Sequence, residues 1–286
     1  MTASLYDPRH CKLGEGPLWH PERQQFFWFD ITGQRLLSRD GDTPLEWHFA
    51  ENVSAAAWTG RDTLLIASET RLFNFNLTTG ASDTVAALEA DNPGTRSNDG
   101  RADPQGGFWI GTMGKSGEAD AGAIYRYYRG ELRQLYAPIT VSNSICFAPD
   151  GSRAYYADTA AGQIMTQPLD AQGWPKGTPD IFIDMRVDRL KPDGSVTDAA
   201  GNLWNAQWGA SRVAQYSPTG ALLQTIAFPA RHTSCPAFGG TDLTTLFCTT
   251  AQQGIAPEIL AAEPGNGQTF AAETDTTGTP EPQVIL

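Results

Sequence analysis

The chain has 286 residues, 40% hydrophobic and 18% charged, which excludes a disordered chain and a coiled coil. Its 32 acidic and 20 basic residues leave a formal charge of −12. Such a surface repels nucleic-acid backbones and anionic membranes, so neither is expected as a partner.

In chain order, strand-sized apolar or aromatic runs follow turns at 26–31, 64–67, 108–112, 154–157, 203–207 and 246–249. The segments ahead of them are alike. Asp103-Pro104-Gln105-Gly106-Gly107 parallels Asp198-Ala199-Ala200-Gly201-Asn202, and Pro149-Asp150-Gly151 and Trp19-His20-Pro21-Glu22 occupy the same place. The pattern reads as strand, turn, strand, with Asp accepting turn amides and Gly taking positive φ. No stretch carries a sustained helical period.

Taking the residue just before the first strand of each unit gives anchors at Glu15, Ser54, Asn98, Asn143, Asp193 and Cys235, spaced 39, 44, 45, 50 and 42 residues apart. A period of this length with several short strands per unit signals an all-β, six-bladed β-propeller, here a single domain over 1–286. The longest interval contains a Gly- and Pro-rich surface loop, 168–179. No Lys or Arg follows Arg231, whereas Asp242, Glu258, Glu263, Glu273, Asp275 and Glu281 do. That acidic end reads as a solvated outer face.

Cys11, Cys146, Cys235 and Cys248 show no disulfide framework and no zinc spacing. They read as small core residues, with a Cys11–Cys248 bridge between the chain ends as the alternative. The chain shows no basic, apolar leader and no run of membrane-helix length, so a soluble, cytoplasmic monomer or small homo-oligomer is expected.

In a propeller the innermost strands begin near the central channel, so the anchors converge on one face. Three of them, Glu15, Asn143 and Asp193, carry oxygen donors. Two carboxylates and an amide oxygen on one axis repel one another unless a cation joins them. The set suits Ca²⁺, Mg²⁺ or Mn²⁺, and an open site also accepts Zn²⁺ or Fe²⁺. None of His10, His20, His48 and His232 pairs at helical spacing; all four read as structural or solvated, with His232 near the sixth anchor. Trp19, Trp109, Trp204 and Trp208 fit blade packing.

The stretches 13–19, 96–113, 141–151, 192–208 and 232–252 resemble the SMP-30/gluconolactonase family, which includes regucalcin and bacterial sugar lactonases. Ser97-Asn98-Asp99-Gly100, continued by Trp109-Ile110-Gly111-Thr112-Met113, is the most specific match, followed by Cys235-Pro236-Ala237-Phe238-Gly239-Gly240-Thr241-Asp242-Leu243. The resemblance implies a six-bladed propeller and one divalent metal held by Glu15, Asn143 and Asp193. Arg96 and Asn98 match its substrate-binding Arg and Asn. The acidic substrate contact after the Gly-Thr-Met run has only Glu118 as candidate here. Ser144 and Ser195 stand where the family usually has Gly and Met or Leu. The implied activity is hydrolysis of a sugar lactone, with Asp193 as general base and Asp99 as the alternative. A metal-dependent esterase of other substrate class and a non-catalytic calcium- or metabolite-binding propeller remain the competing readings.

Overall fold

The computed structural model describes residues 2–286. The strands form six four-stranded antiparallel sheets. Blade one shows the pattern: Gly14–His20, Gln25–Asp30, Arg35–Asp40 and Thr43–His48 run inside to outside in chain order. The innermost strands of blades two to six are Val53–Gly60, Thr95–Ala102, Ser142–Phe147, Pro192–Thr197 and His232–Gly239. Each packs on the next, and the sixth packs on the first, which closes the ring into the expected β-propeller. One short helix, Pro257–Ala262, lies on the surface between the second and third strands of blade six.

The second strand of blade one explains why these runs read as continuously apolar. All six residues of Gln25–Asp30 are buried. Side chains alternate faces along a strand, and here both faces meet another blade. Phe27 and Phe29 enter a core with Val53, Leu64 and Phe73 of blade two. Phe26 and Trp28 enter one with Ala237 and Phe247 of blade six. Outer strands face water and alternate: Thr43–His48 is largely exposed.

The repeated turns have the expected chemistry. Asp103 Oδ1 accepts the amides of Gln105 and Gly107 at 3.0 and 2.9 Å. Asp198 Oδ1 accepts those of Ala200 and Asn202, while its Oδ2 takes the Trp204 indole N–H at 2.9 Å. Asp150 takes the amide of Ser152. Blade one substitutes His20, whose Nδ1 accepts the Arg23 amide.

One alternative is excluded and one expectation changes. All four cysteines are free and buried, so no Cys11–Cys248 bridge exists; both thiols fill core positions in the blades they belong to. The acidic end is not wholly solvated. The segment 277–286 crosses the far face of the ring, with Trp58 Nε1 donating to the Glu281 carbonyl and the Glu281 carboxylate paired with Arg101. Both of those charged side chains are about nine-tenths buried. One feature lay outside the repeat reading. Ser4–Asp7 pairs with Thr269–Glu273 and supplies the outermost strand of blade six.

Candidate active site

Every innermost strand slips register near its upper end: between Glu15 and Leu18, Val53 and Ala55, Ser97 and Gly100, Asn143 and Cys146, Pro192 and Ser195, and Thr233 and Pro236. A bulge leaves residues unpaired and re-aims their side chains. The polar anchors lie within or beside these bulges rather than just ahead of the strands, and this turns them toward the axis. Gly16 makes the first bulge possible. Its φ is +53°, and a Cβ there would lie 2.1 Å from the Ser54 carbonyl oxygen. Gly194 has a different reason: a Cβ would meet Cys235 Sγ at 2.2 Å. Ser144, beside Asn143, takes φ +59° without being glycine, and its hydroxyl donates to the Asp193 carbonyl at 2.5 Å.

The bulges open onto a cavity of ≈ 340 Å³. Its polar residues are Glu15, Arg96, Asn98, Asn143 and Asp193; Leu13, Met113, Val141 and Trp208 supply apolar wall. The rim carries Lys115, Ser116, Gly117, Thr159, Lys191 and Gln253. Five of the six residues singled out from the sequence therefore meet in one place. Glu118 does not. It is exposed and turned back onto the Ser116 amide at 3.0 Å. Asp99 is buried below the cavity, where its Oδ2 accepts the Ile145 amide at 2.7 Å. His232 stacks behind Trp208 at 4.1 Å between ring centroids. Trp19, Trp109 and Trp204 are buried blade residues, but Trp208 lines the cavity.

The electrostatics of the floor are severe. Burial, then repulsion from Asp99, pushes Glu15 up to about 8. Burial, then Glu15 and Asp99, raises Asp193 well above the usual carboxylate range. The two carboxyls are close enough to share a proton. Burial raises Asp99 to about 6 and lowers Arg96 to about 10, so Arg96 keeps its charge at neutral pH. Arg96 Nη1 donates to the Ser97 carbonyl and to Asn98 Oδ1, at 2.9 and 2.7 Å. Asn98 Nδ2 donates to the Ser142 carbonyl and to Asn143 Oδ1, at 2.8 and 3.1 Å.

This donor set fits a hard divalent cation. Two crowded, buried carboxylates and an adjacent amide oxygen are costly to hold together with a single buried guanidinium, Arg96, beside them. Among the described residues no group of three or more His, Cys, Asp or Glu side chains forms a metal cage. The candidate here is instead a mixed carboxylate–amide oxygen set.

A propeller with a polar, one-sided channel mouth defines a class, and comparison with known proteins narrows it. The model of the SMP-30/Gluconolactonase/LRE-like region matches residues 13–252, and the chain belongs to that family. It is 41% identical over 282 residues to a Rhizobium meliloti (strain 1021) protein provisionally named a sugar lactone lactonase, covering 96% of this chain and 94% of the relative. It is 34% identical over 282 residues to the L-arabinolactonase of Azospirillum brasilense, covering 96% and 92%. Among solved structures, the calcium-binding protein regucalcin from Agrobacterium tumefaciens strain C58 is similar with a TM-score of 0.97 at 38% identity. That match covers 99% of this chain and 97% of the other.

Proposed function

We propose that the chain hydrolyses a sugar lactone to its aldonic acid, with a divalent metal held by Glu15, Asn143 and Asp193. The observation that carries this reading is the pair of buried, mutually repelling carboxylates at the floor of a sugar-sized cavity, beside Arg96 and Asn98. The lactonase relatives support the reaction class. A bound divalent cation supplies Lewis-acid polarisation of the lactone carbonyl and lowers the pKa of water in the site.

The remaining work falls to side chains. Asp193 takes a proton from the attacking water as the new C–O bond forms, and returns it to the ring oxygen as the ring C–O bond breaks. A base positioned this way contributes about 10²–10⁴-fold. Arg96 has spent Nη1 on its neighbours, which leaves Nε and Nη2 for substrate oxygens. Asn98 Nδ2 is committed to two acceptors, so only its carbonyl oxygen can serve, as an acceptor for a sugar hydroxyl. Leu13, Met113, Val141 and Trp208 cover the C–H face of the ring and exclude stray water.

The test is acid release, followed with a pH indicator across pentono- and hexonolactones, using chelator-stripped and metal-refilled protein. Turnover of at least one lactone after refilling only is expected. Full activity of the stripped protein refutes the metal role, and no turnover of any lactone by refilled protein refutes the reaction. In the latter case a non-catalytic calcium-binding propeller gains, a reading supported by the likeness to the calcium-binding Agrobacterium protein.

A further inference from the structure

Resting on the reading of Asn143 as a metal ligand, we propose that Thr159 is a positioning residue that fixes which end of the Asn143 amide faces the cavity. The two ends of an asparagine amide are nearly equal in shape and opposite in chemistry: only the oxygen can ligate a cation. A ligand asparagine therefore needs something that holds its nitrogen elsewhere.

Thr159 does this through the direction of its own hydrogen bond. Its hydroxyl donates to the Pro192 carbonyl at 2.7 Å. A hydroxyl has one hydrogen, and a carbonyl can only accept, so that hydrogen is spent. Toward Asn143 the Thr159 oxygen therefore presents a lone pair, and Asn143 Nδ2 answers it at 2.7 Å. The opposite end of the network sets the same direction. A guanidinium only donates, so Asn98 must offer its oxygen to Arg96 and its nitrogen to Asn143. The sequence Arg96, Asn98, Asn143, Thr159, Pro192 thus runs one way, from an obligate donor to an obligate acceptor, across three blades. No single amide in it can flip alone.

The two neighbours of Asn143 are not equivalent. Asn98 touches the amide oxygen and draws on one of its lone pairs. Thr159 touches only the nitrogen and leaves the oxygen free. Thr159 also ties the blade-four ligand to the backbone immediately before Asp193. Its main chain is held independently of the hydroxyl, by Thr159 N to the Val141 carbonyl and by Gly162 N to the Thr159 carbonyl. Replacing the hydroxyl by a methyl group leaves those bonds in place.

The experiment compares wild type, Thr159→Val and Thr159→Ser after metal stripping. It measures Mn²⁺ affinity from the EPR signal of the free ion, and thermal unfolding of the metal-free proteins. Loss of an outer partner of a metal ligand typically costs about 10–100-fold in affinity. That loss is expected in Thr159→Val, with wild-type affinity restored in Thr159→Ser and unchanged unfolding midpoints. Wild-type Mn²⁺ affinity in Thr159→Val overturns the inference, as does failure of Thr159→Ser to restore it. A wild type that binds neither Mn²⁺ nor, by calorimetry, Ca²⁺, Mg²⁺, Zn²⁺ or Fe²⁺ refutes the metal reading itself, which separates the two failures.

Discussion

Replacing Glu15 by glutamine should make the metal-free protein more stable while abolishing turnover. Glu15 is raised from an ordinary 4.5 to about 8 by burial and by the charge of Asp99, and it shares its place with Asp193. The sign follows from linkage. Below pH 4.5 the carboxyl is protonated in folded and unfolded chains alike, and its ionisation costs nothing. Between 4.5 and about 8 the unfolded chain ionises and the folded one resists, so folding loses stability with each unit of pH. Above about 8 the loss is complete. At 1.36 kcal/mol per unit, the cost carried by the wild type at pH 7 is about 3 kcal/mol. Glutamine keeps the shape, removes the ionisable group, and relieves Asp193 of the nearest charge that raises it. For a chain of this size a gain of about 3 kcal/mol raises the unfolding midpoint by roughly 6 °C or more. The assay is thermal or urea unfolding of chelator-treated Glu15→Gln and wild type from pH 4 to 9. The gap should be near zero at pH 4, widen through neutrality and level off above pH 8. A gap that does not change with pH, or a less stable variant at pH 8, refutes the reasoning.

Other perturbations are as direct. Gly16→Ala places a methyl group 2.1 Å from the Ser54 carbonyl at a left-handed φ, and should cost several kcal/mol in urea unfolding and weaken substrate turnover together. Glu281→Ala leaves the Arg101 guanidinium buried without its partner, a loss of about 3–5 kcal/mol; stability should largely return in the apolar pair Arg101→Met with Glu281→Leu. Since all four thiols are free and buried, an aromatic disulfide reagent should find none in the native protein and four in denaturant without reductant. Two missing equivalents would point to a bridge.

The ring was readable because its determinants are local and repeated. Asp103, Asp150 and Asp198 mark their turns through bonds to amides a few residues away, and the apolar runs follow at once. The anchors were readable for the same reason, since each blade places its inner strand in the same position. The exact aim of those anchors was not, because it depends on bulges, and a bulge is a property of strand pairing rather than of one segment. Thr159, Trp208 and Gln253 were missed as site residues for a related reason. Each follows the second strand of its blade, which runs antiparallel to the first and returns to the same face. Extending the repeat to the far ends of those second strands would have brought them in. Glu118 shows the converse: nearness in sequence to Met113 did not bring it into the cavity. Nothing local announces the Arg101–Glu281 pair, whose members are 180 residues apart.

The pairing of Ser4–Asp7 with Thr269–Glu273 has a consequence for how this chain is made. Synthesis proceeds at about 5–20 residues per second, so Ser4–Asp7 waits on the order of 15–50 s for its partner. Over that interval the first five blades can assemble, but Phe26 and Trp28 have no sixth blade to cover them. The nascent protein thus carries a bare aromatic wall and an unpaired strand until Thr269–Glu273 has been made. Its exposure to aggregation, and its need for chaperones, should be greatest just before blade six is completed.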